Sequence, residues 1–291
     1  MSKWFGIALL FLFIAFPGVV KEGISSGLEK SFLVLMPALF PYMVVSQIFI
    51  KTGGASVFSR FLQVGNLSKK GVELLVPSLF CGYPTGARLS SFAYNNNEIS
   101  KRELLLLFSF GNIPGFGFTV SYLGGVLFKS FRFGVMIYLS YLTASVLLCF
   151  LFSLSLPRQS AQSAPQQKCV SFGQALTEAV TESSLSMVSL ICFVCFFSSL
   201  IHLLSTLRLP SALGVCLEAF LEITYGLESL AKFYGIMPTV FFAGFSGLCV
   251  LFQSLSFDQK KAVNLPLLFT ARCLYGIVSV LIFCFLQLLA R

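Results

Sequence analysis

Charged residues are scarce in this sequence: Asp, Glu, Lys and Arg make up 11% of its 291 residues, and only 11 of them are acidic. A soluble fold of this length needs far more polar surface, so that class is excluded. Histidine occurs once, at His202 near the end of an apolar run, with no partner in sequence for a metal site or a proton relay. The nine cysteines form no regularly spaced framework, and most of them (Cys149, Cys192, Cys195, Cys249, Cys273 and Cys284) lie inside apolar stretches as small hydrophobes. Cys192 and Cys195 have CxxC spacing, yet neither a second pair nor a neighbouring His accompanies them. Nucleophile elbow, zinc motif, P-loop and Rossmann fingerprint are all missing, so no catalytic constellation and no cofactor is expected. The first apolar run, 4–20, is followed by no small-residue cleavage site and is read as an uncleaved helix.

What the sequence does have is apolar length. Residues AVILMFWYC account for 56% of it, 34 of them Phe, and the mean hydropathy is +0.88. A hydrocarbon span takes about 20 apolar residues, and uncharged runs of that order occur at 31–50, 104–128, 133–156, 183–207 and 235–257. The bilayer is therefore the solvent, and a multi-pass cell-membrane protein is expected. The net charge of +9 does not point to nucleic acid, because the Lys and Arg residues sit mainly in short loops between these runs. In the run 31–50, Pro37 and Pro41 remove backbone donors and predict a kink. The following loop, 51–70, carries Lys51, Arg60, Lys69 and Lys70 with no acid and is predicted to be cytoplasmic.

Two segments are interrupted too strongly to be ordinary spans. Residues 74–94 contain Pro77, the run Gly82-Tyr-Pro-Thr-Gly86 and then Arg88; residues 213–231 contain Glu218, Glu222 and Glu228 around Ile223-Thr-Tyr-Gly226. Short helical arms about a Gly/Pro break predict re-entrant hairpins or broken helices, tolerated at membrane depth only inside protein or beside a wet cavity. Softer interruptions, Gly111-Asn-Ile-Pro-Gly115 and Gly244-Phe-Ser-Gly247, fall within two full-length runs. The order of features then repeats, with Thr85 and Thr224 lying 139 positions apart and Asn112 and Ser246 lying 134 apart. Residues 157–168 between the halves are Pro- and Gln-rich and polar, a linker composition.

The expected division is an N-terminal transmembrane helix (1–26), a first repeat (27–156), a cytoplasmic polar linker (157–172) and a second, inverted repeat (173–291). The fold class is all-α and polytopic, with about seven transmembrane helices plus two hairpins, or nine spans if the hairpins cross. With Lys3 inside, seven spans put 51–70, Lys101 with Arg102, the linker and Lys260 with Lys261 on the cytoplasmic side, in accord with the charge bias.

Ions inside hydrocarbon cost roughly 2.5–3.5 kcal/mol on insertion scales, which marks Arg88, Glu182, Glu222 and Arg272 as functional candidates. The plainer alternatives are that Arg88 pairs with a carboxylate and that Arg272 snorkels to an interface. Asn112 and Ser246, at the Gly interruptions, add neutral hydrogen-bonding groups, or else serve interhelical packing.

These residues also carry a resemblance. Phe80-Cys-Gly-Tyr-Pro-Thr-Gly-Ala-Arg88, Ile99-Ser-Lys101 and Phe108-Ser-Phe-Gly-Asn112, then Leu221-Glu-Ile-Thr-Tyr-Gly226 and Gly244-Phe-Ser-Gly-Leu-Cys-Val250 with Gln253, resemble in order the motifs of YlbJ-type sporulation integral membrane proteins. These belong with the nucleoside-recognition (Gate) domain proteins. One motif departs: Gly111-Asn-Ile-Pro114 stands where the family has a more Asn/Ser-rich run. The resemblance implies halves similar to concentrative nucleoside transporters, a midplane substrate site, and passage of a small molecule, dipicolinate, into the forespore. Carried over by position, Gly82, Pro84, Thr85, Gly86, Asn112, Glu222, Thr224 and Gln253 would form the site, with Arg88 and Ser246 added by the reading of the residues. The partners implied are a small-molecule substrate and the lipid bilayer. The sequence leaves open a dipicolinate cargo, a nucleoside cargo, a coupling cation, homo-oligomerisation, and a non-transporting role as a membrane partner subunit in sporulation.

Overall fold

The computed structural model describes residues 2–157, 170–207 and 209–290, and every regular element among them is a helix. Most of the linker 157–172 therefore lies outside the described residues. Five helices are long and apolar enough to cross a membrane: Pro17–Lys51, Phe131–Ser153, Phe172–Ser205, Ile236–Ser256 and Leu265–Leu289. The distribution of side chains is that of a protein dissolved in lipid. Leu33, Leu185 and Leu281 on the long helices are 70%, 69% and 63% exposed, whereas Glu222 and Arg272 are each 1% exposed. The protein is a polytopic membrane protein.

Two predicted spans come out differently. The run 4–20 does not make one helix: α1 (Ser2–Ala15) ends before Pro17, which opens α2 (Pro17–Lys30). Proline has no N–H and suits the first position of a new helix, and the 14 residues of α1 reach only about 21 Å, less than the hydrocarbon core of about 30 Å. Instead α2 runs on through a π-helical turn, Ser31–Leu35, into α3 (Met36–Lys51), a single rod of 35 residues. The π turn absorbs an extra residue just ahead of Pro37, and the chain passes both Pro37 and Pro41 without a break.

The run 104–128 is likewise not one continuous helix. It starts as α7 (Lys101–Leu106), continues as a π-helical segment, Leu107–Gly111, opens at 112–115, and resumes through Phe116 as a second π-helical segment, Gly117–Leu127. Pro114 cannot donate to the carbonyl of Phe110 four residues back, and that oxygen accepts from the Ser145 hydroxyl at 2.5 Å. The run 235–257 holds as a span but is divided, as its glycines predict, into α12 (Ile236–Phe245) and α13 (Gly247–Ser256) at Ser246, whose φ is +83°.

Both strongly broken segments double back on themselves. After the short α4 (Gly54–Phe61), α5 (Lys69–Cys81) and α6 (Thr85–Asn95) form the first pair. Their far ends are joined by an ion pair from Lys70 to Glu98 at 3.0 Å. The buried Glu103 carboxylate fastens the same corner, accepting from the amides of Ser68 and Ser100. After α8 (Phe131–Ser153) and α9 (Phe172–Ser205), α10 (Ser211–Leu221) and α11 (Ile223–Phe233) form the second pair. They turn at the single extended residue Glu222 (φ −140°, ψ 120°), one step before the predicted break, and lie so close that a Cβ on Gly226 would stand 2.0 Å from the Ala219 Cα.

The frame around these pairs consists of long antiparallel helices. The rod Pro17–Lys51 lies along α9, with Gly23 against Ser199 and Gly27 against Cys195 at one end and Lys51 bonded to Glu178 and Glu182 at the other. Added Cβ atoms at Gly23 and Gly27 would sit 2.5 and 2.8 Å from the facing Cα atoms, the close approach that a small-xxx-small spacing allows. Opposite them, α8 packs on α14 (Leu265–Leu289), with Tyr275 donating to the Tyr141 carbonyl at 2.9 Å. Gly27→Leu is expected to destabilise the fold by about 1–3 kcal/mol through overpacking, read as a lower thermal-unfolding midpoint in detergent than that of Gly6→Leu, where nothing lies within 4 Å.

Candidate functional site

The first helix pair ends in a tip whose backbone is dictated by glycine. Gly82 has φ +74°, and a Cβ there would meet the amide nitrogen of Gly115 at 2.1 Å, so only glycine brings the tip this close to the opened span. The next amide, Tyr83, donates to the Ile113 carbonyl at 2.8 Å, which ties tip to break. Pro84 follows through a cis bond and precedes the first turn of α6, where Thr85 is buried and its hydroxyl has no protein partner. Gly86 leaves room for Asn112, whose Cα would be 3.3 Å from an added Cβ. The Tyr83 hydroxyl is buried, unpartnered within the protein and within electrostatic reach of Arg272 and Glu222.

The second tip is organised by Glu222. Its carboxylate caps α11, accepting from the Thr224 amide and hydroxyl and from the Tyr225 amide, each at 3.0 Å. Charge-assisted bonds of this kind are what a carboxylate at a helix N-terminus makes. The Thr224 hydroxyl is thereby committed to Glu222. The flank of the same helix is held by Glu228, which takes Lys30 at 2.5 Å and the Tyr122 hydroxyl at 3.0 Å. Ile223 touches the position above Gly247, so this tip abuts the second break as the first tip abuts the first.

Arg272 lies between the two breaks. It is buried on α14, and its guanidinium donates to the carbonyls of Ser109 (3.1 Å) and Asn112 (2.9 Å) on one interrupted helix. On the other it donates to the carbonyls of Gly244 and Phe245 and to the Ser246 hydroxyl. Snorkelling to an interface, one of the two sequence readings of this residue, is therefore corrected: the carbonyls exposed by the two breaks make the interior the favourable place for its charge. Asn112 also joins the halves through Nδ2, which donates to Ser254 at 3.0 Å, while its Oδ1 and the Nε2 of the adjoining Gln253 are buried without protein partners.

Of the ten residues expected to form a site, the structure thus gathers Gly82, Pro84, Thr85, Gly86 and Asn112 at one tip and break, and Glu222, Thr224 and Ser246 at the other, with Gln253 on α13 beside the Ser254 that bonds Asn112. Arg88 stands apart. One turn into α6, it pairs with Glu182 at 3.1 Å and with Ser186 at 2.9 Å on α9, the pairing that the plainer sequence reading allowed. Lys51 reaches the same Glu182 at 2.9 Å. These three line a cavity of about 330 Å³ together with Gln47, Ser91, Asn95 and Gln259. His202 contacts the Ser198 carbonyl at 2.9 Å and lies edge-on to Tyr225, outside the cluster. Tyr83 and Ser254 belong with the cluster and escape a sequence reading, although Tyr83 sits inside the Gly/Pro motif itself.

No family model matches the sequence, and no solved structure matches it. The sporulation integral membrane protein YlbJ of Bacillus subtilis (strain 168) is 23% identical, over 94% of this chain and 80% of that protein. The chain is therefore similar, along nearly its whole length, to a sporulation integral membrane protein.

Proposed function

We propose that this protein is a transporter or facilitator that passes a small polar metabolite through a midplane site between two inverted, Gate-like halves, 27–156 and 173–291. The observation that carries the reading is the abutment of each helix-pair tip on an interrupted helix, with buried polar groups of both tips and both breaks drawn into one cluster. Soluble or purely structural roles do not need unpaired Thr85, Asn112 and Gln253 atoms in the interior, whereas a polar cargo does.

The repeat is supported by matching contacts at the 134-residue offset of Asn112 and Ser246. Tyr141 and Tyr275 stand at that offset and stack on each other at 6.2 Å. So do Ser145, bonded to the carbonyl of Phe110, and Ser279, beside Gly244. In this reading the two pairs enter from opposite faces, the first from the cytoplasmic side with Lys70 and Glu98. The ion pairs of Arg88 and Lys51 with Glu182 line the cavity that in this reading faces the cytoplasm. The relationship to a sporulation protein makes dipicolinate, delivered across the forespore membrane, the cargo we favour, with nucleosides second.

Two experiments test this. Single cysteines at the exposed positions Gln63 and Asn97 are expected to react with an impermeant thiol reagent from the cytoplasmic face, and those at Thr206 and Lys232 from the other. Labelling of positions 63 and 97 from opposite faces would mean that the first pair crosses the bilayer. In proteoliposomes offered labelled dipicolinate and labelled nucleosides, uptake of one cargo is expected to fall at least about 10-fold in Glu222→Gln and Asn112→Ala, a loss of about 1.4 kcal/mol. Arg88→Ala, outside the cluster, should lower it less. No uptake by well-folded wild-type protein would favour the partner-subunit role instead.

A further inference from the structure

Among the described residues, Arg272 is the one buried cation whose acceptors are all neutral oxygens: four backbone carbonyls and the Ser246 hydroxyl, at the ends of two interrupted helices. A lone charge in a membrane interior is tolerable only where fixed dipoles converge on it. The carbonyls of Ser109 and Gly244 belong to helix segments that end at the breaks, where the helix dipole is negative. Carbonyl and hydroxyl oxygens at the C-terminal ends of broken helices are also the ligands from which hard monovalent cations are bound in transporters of this general build. Here that oxygen set is met by a guanidinium carried on the chain, whose aromatic neighbour Tyr275 lies 4.7 Å from its central carbon.

We propose that Arg272 is a tethered cation: it occupies a five-oxygen cation site between the two breaks, so that the fold needs no soluble alkali cation there and cargo movement is not coupled to one at that point. The position 134 residues earlier holds Tyr138, a neutral side chain bonded to the Leu79 carbonyl at 3.0 Å, so only one half of the molecule carries the charge. The oxygen set explains why the charge is buried far from water. It also explains why the two interrupted helices stay in register, since removing the guanidinium orphans several acceptors at once. The coupling consequence rests on the transport reading; the cation site itself does not.

The test is thermal unfolding of the full-length protein in detergent, followed with a thiol-reactive dye and read without cargo. Wild-type protein is expected to unfold at the same temperature in sodium, potassium and choline chloride. Arg272→Ala is expected to unfold at a lower temperature and to recover several degrees in about 20 mM guanidinium chloride, well below denaturing concentrations, but not in equimolar urea. Arg272→Lys and Arg272→Met provide a second comparison should the alanine variant fail to accumulate, and Lys is expected to be the more stable of the two. Sodium stabilisation of the wild type, equal response of Arg272→Ala to guanidinium and urea, or Met equal to Lys would each overturn the proposal. Uptake that persists when sodium is replaced by choline would extend it to coupling, and uptake that requires sodium would overturn that extension. Absence of any uptake, with the stability results as expected, would remove the transport reading alone.

Discussion

A helix interrupted inside a bilayer leaves carbonyls and amides that water does not reach, and the centre of this protein is arranged around supplying them with partners. The Tyr83 amide goes to Ile113, the Thr224 and Tyr225 amides go to Glu222, and the Phe110 carbonyl freed by Pro114 goes to Ser145. The largest share falls to Arg272, which serves both breaks at once. Without that convergence the two interrupted helices would have no reason to open at the same place.

The frame exists to hold those openings still. Long antiparallel helices on one side, joined through Gly23 and Gly27, and the α8–α14 pair on the other, joined through Tyr141 and Tyr275, enclose the two tips. Because lipid offers no hydrophobic drive between apolar helices, the contacts that matter are close backbone approaches and interhelical hydrogen bonds. The lipid-facing side is correspondingly undemanding, with exposed Leu and Phe throughout. Ion pairs stand where Lys51 and Arg88 meet Glu182 and where Lys70 meets Glu98, and a further one, Lys30 with Glu228, fastens the flank of the second pair.

The two tips differ in how they are made, and the difference bears on their chemistry. At the first, glycine and proline impose the turn and leave the Thr85 and Tyr83 hydroxyls without protein partners. At the second, a carboxylate imposes it and spends its oxygens on the backbone. The Glu222 carboxylate is therefore committed to shaping its own tip, whereas the hydroxyls of the first tip are left without protein partners. Arg88, charged and one turn from Thr85, looks like part of this apparatus in sequence but is drawn to α9 by Glu182 and Ser186.

The sequence by itself determined the solvent, because apolar length and scarce charge admit only the bilayer, and it determined where the chain would be interrupted. Gly82, Pro84, Pro114 and Gly247 act through their own backbone chemistry, which is local and therefore readable. Tertiary structure alone decided what those interruptions meet. It joined tip to break, sent Arg88 to the rim and carried the next rod through two prolines. It also chose the partners of Arg272, which the sequence marks only as a charge inside hydrocarbon, because its acceptors are mostly backbone carbonyls: every residue has one, and only the fold says which are left without a helical partner.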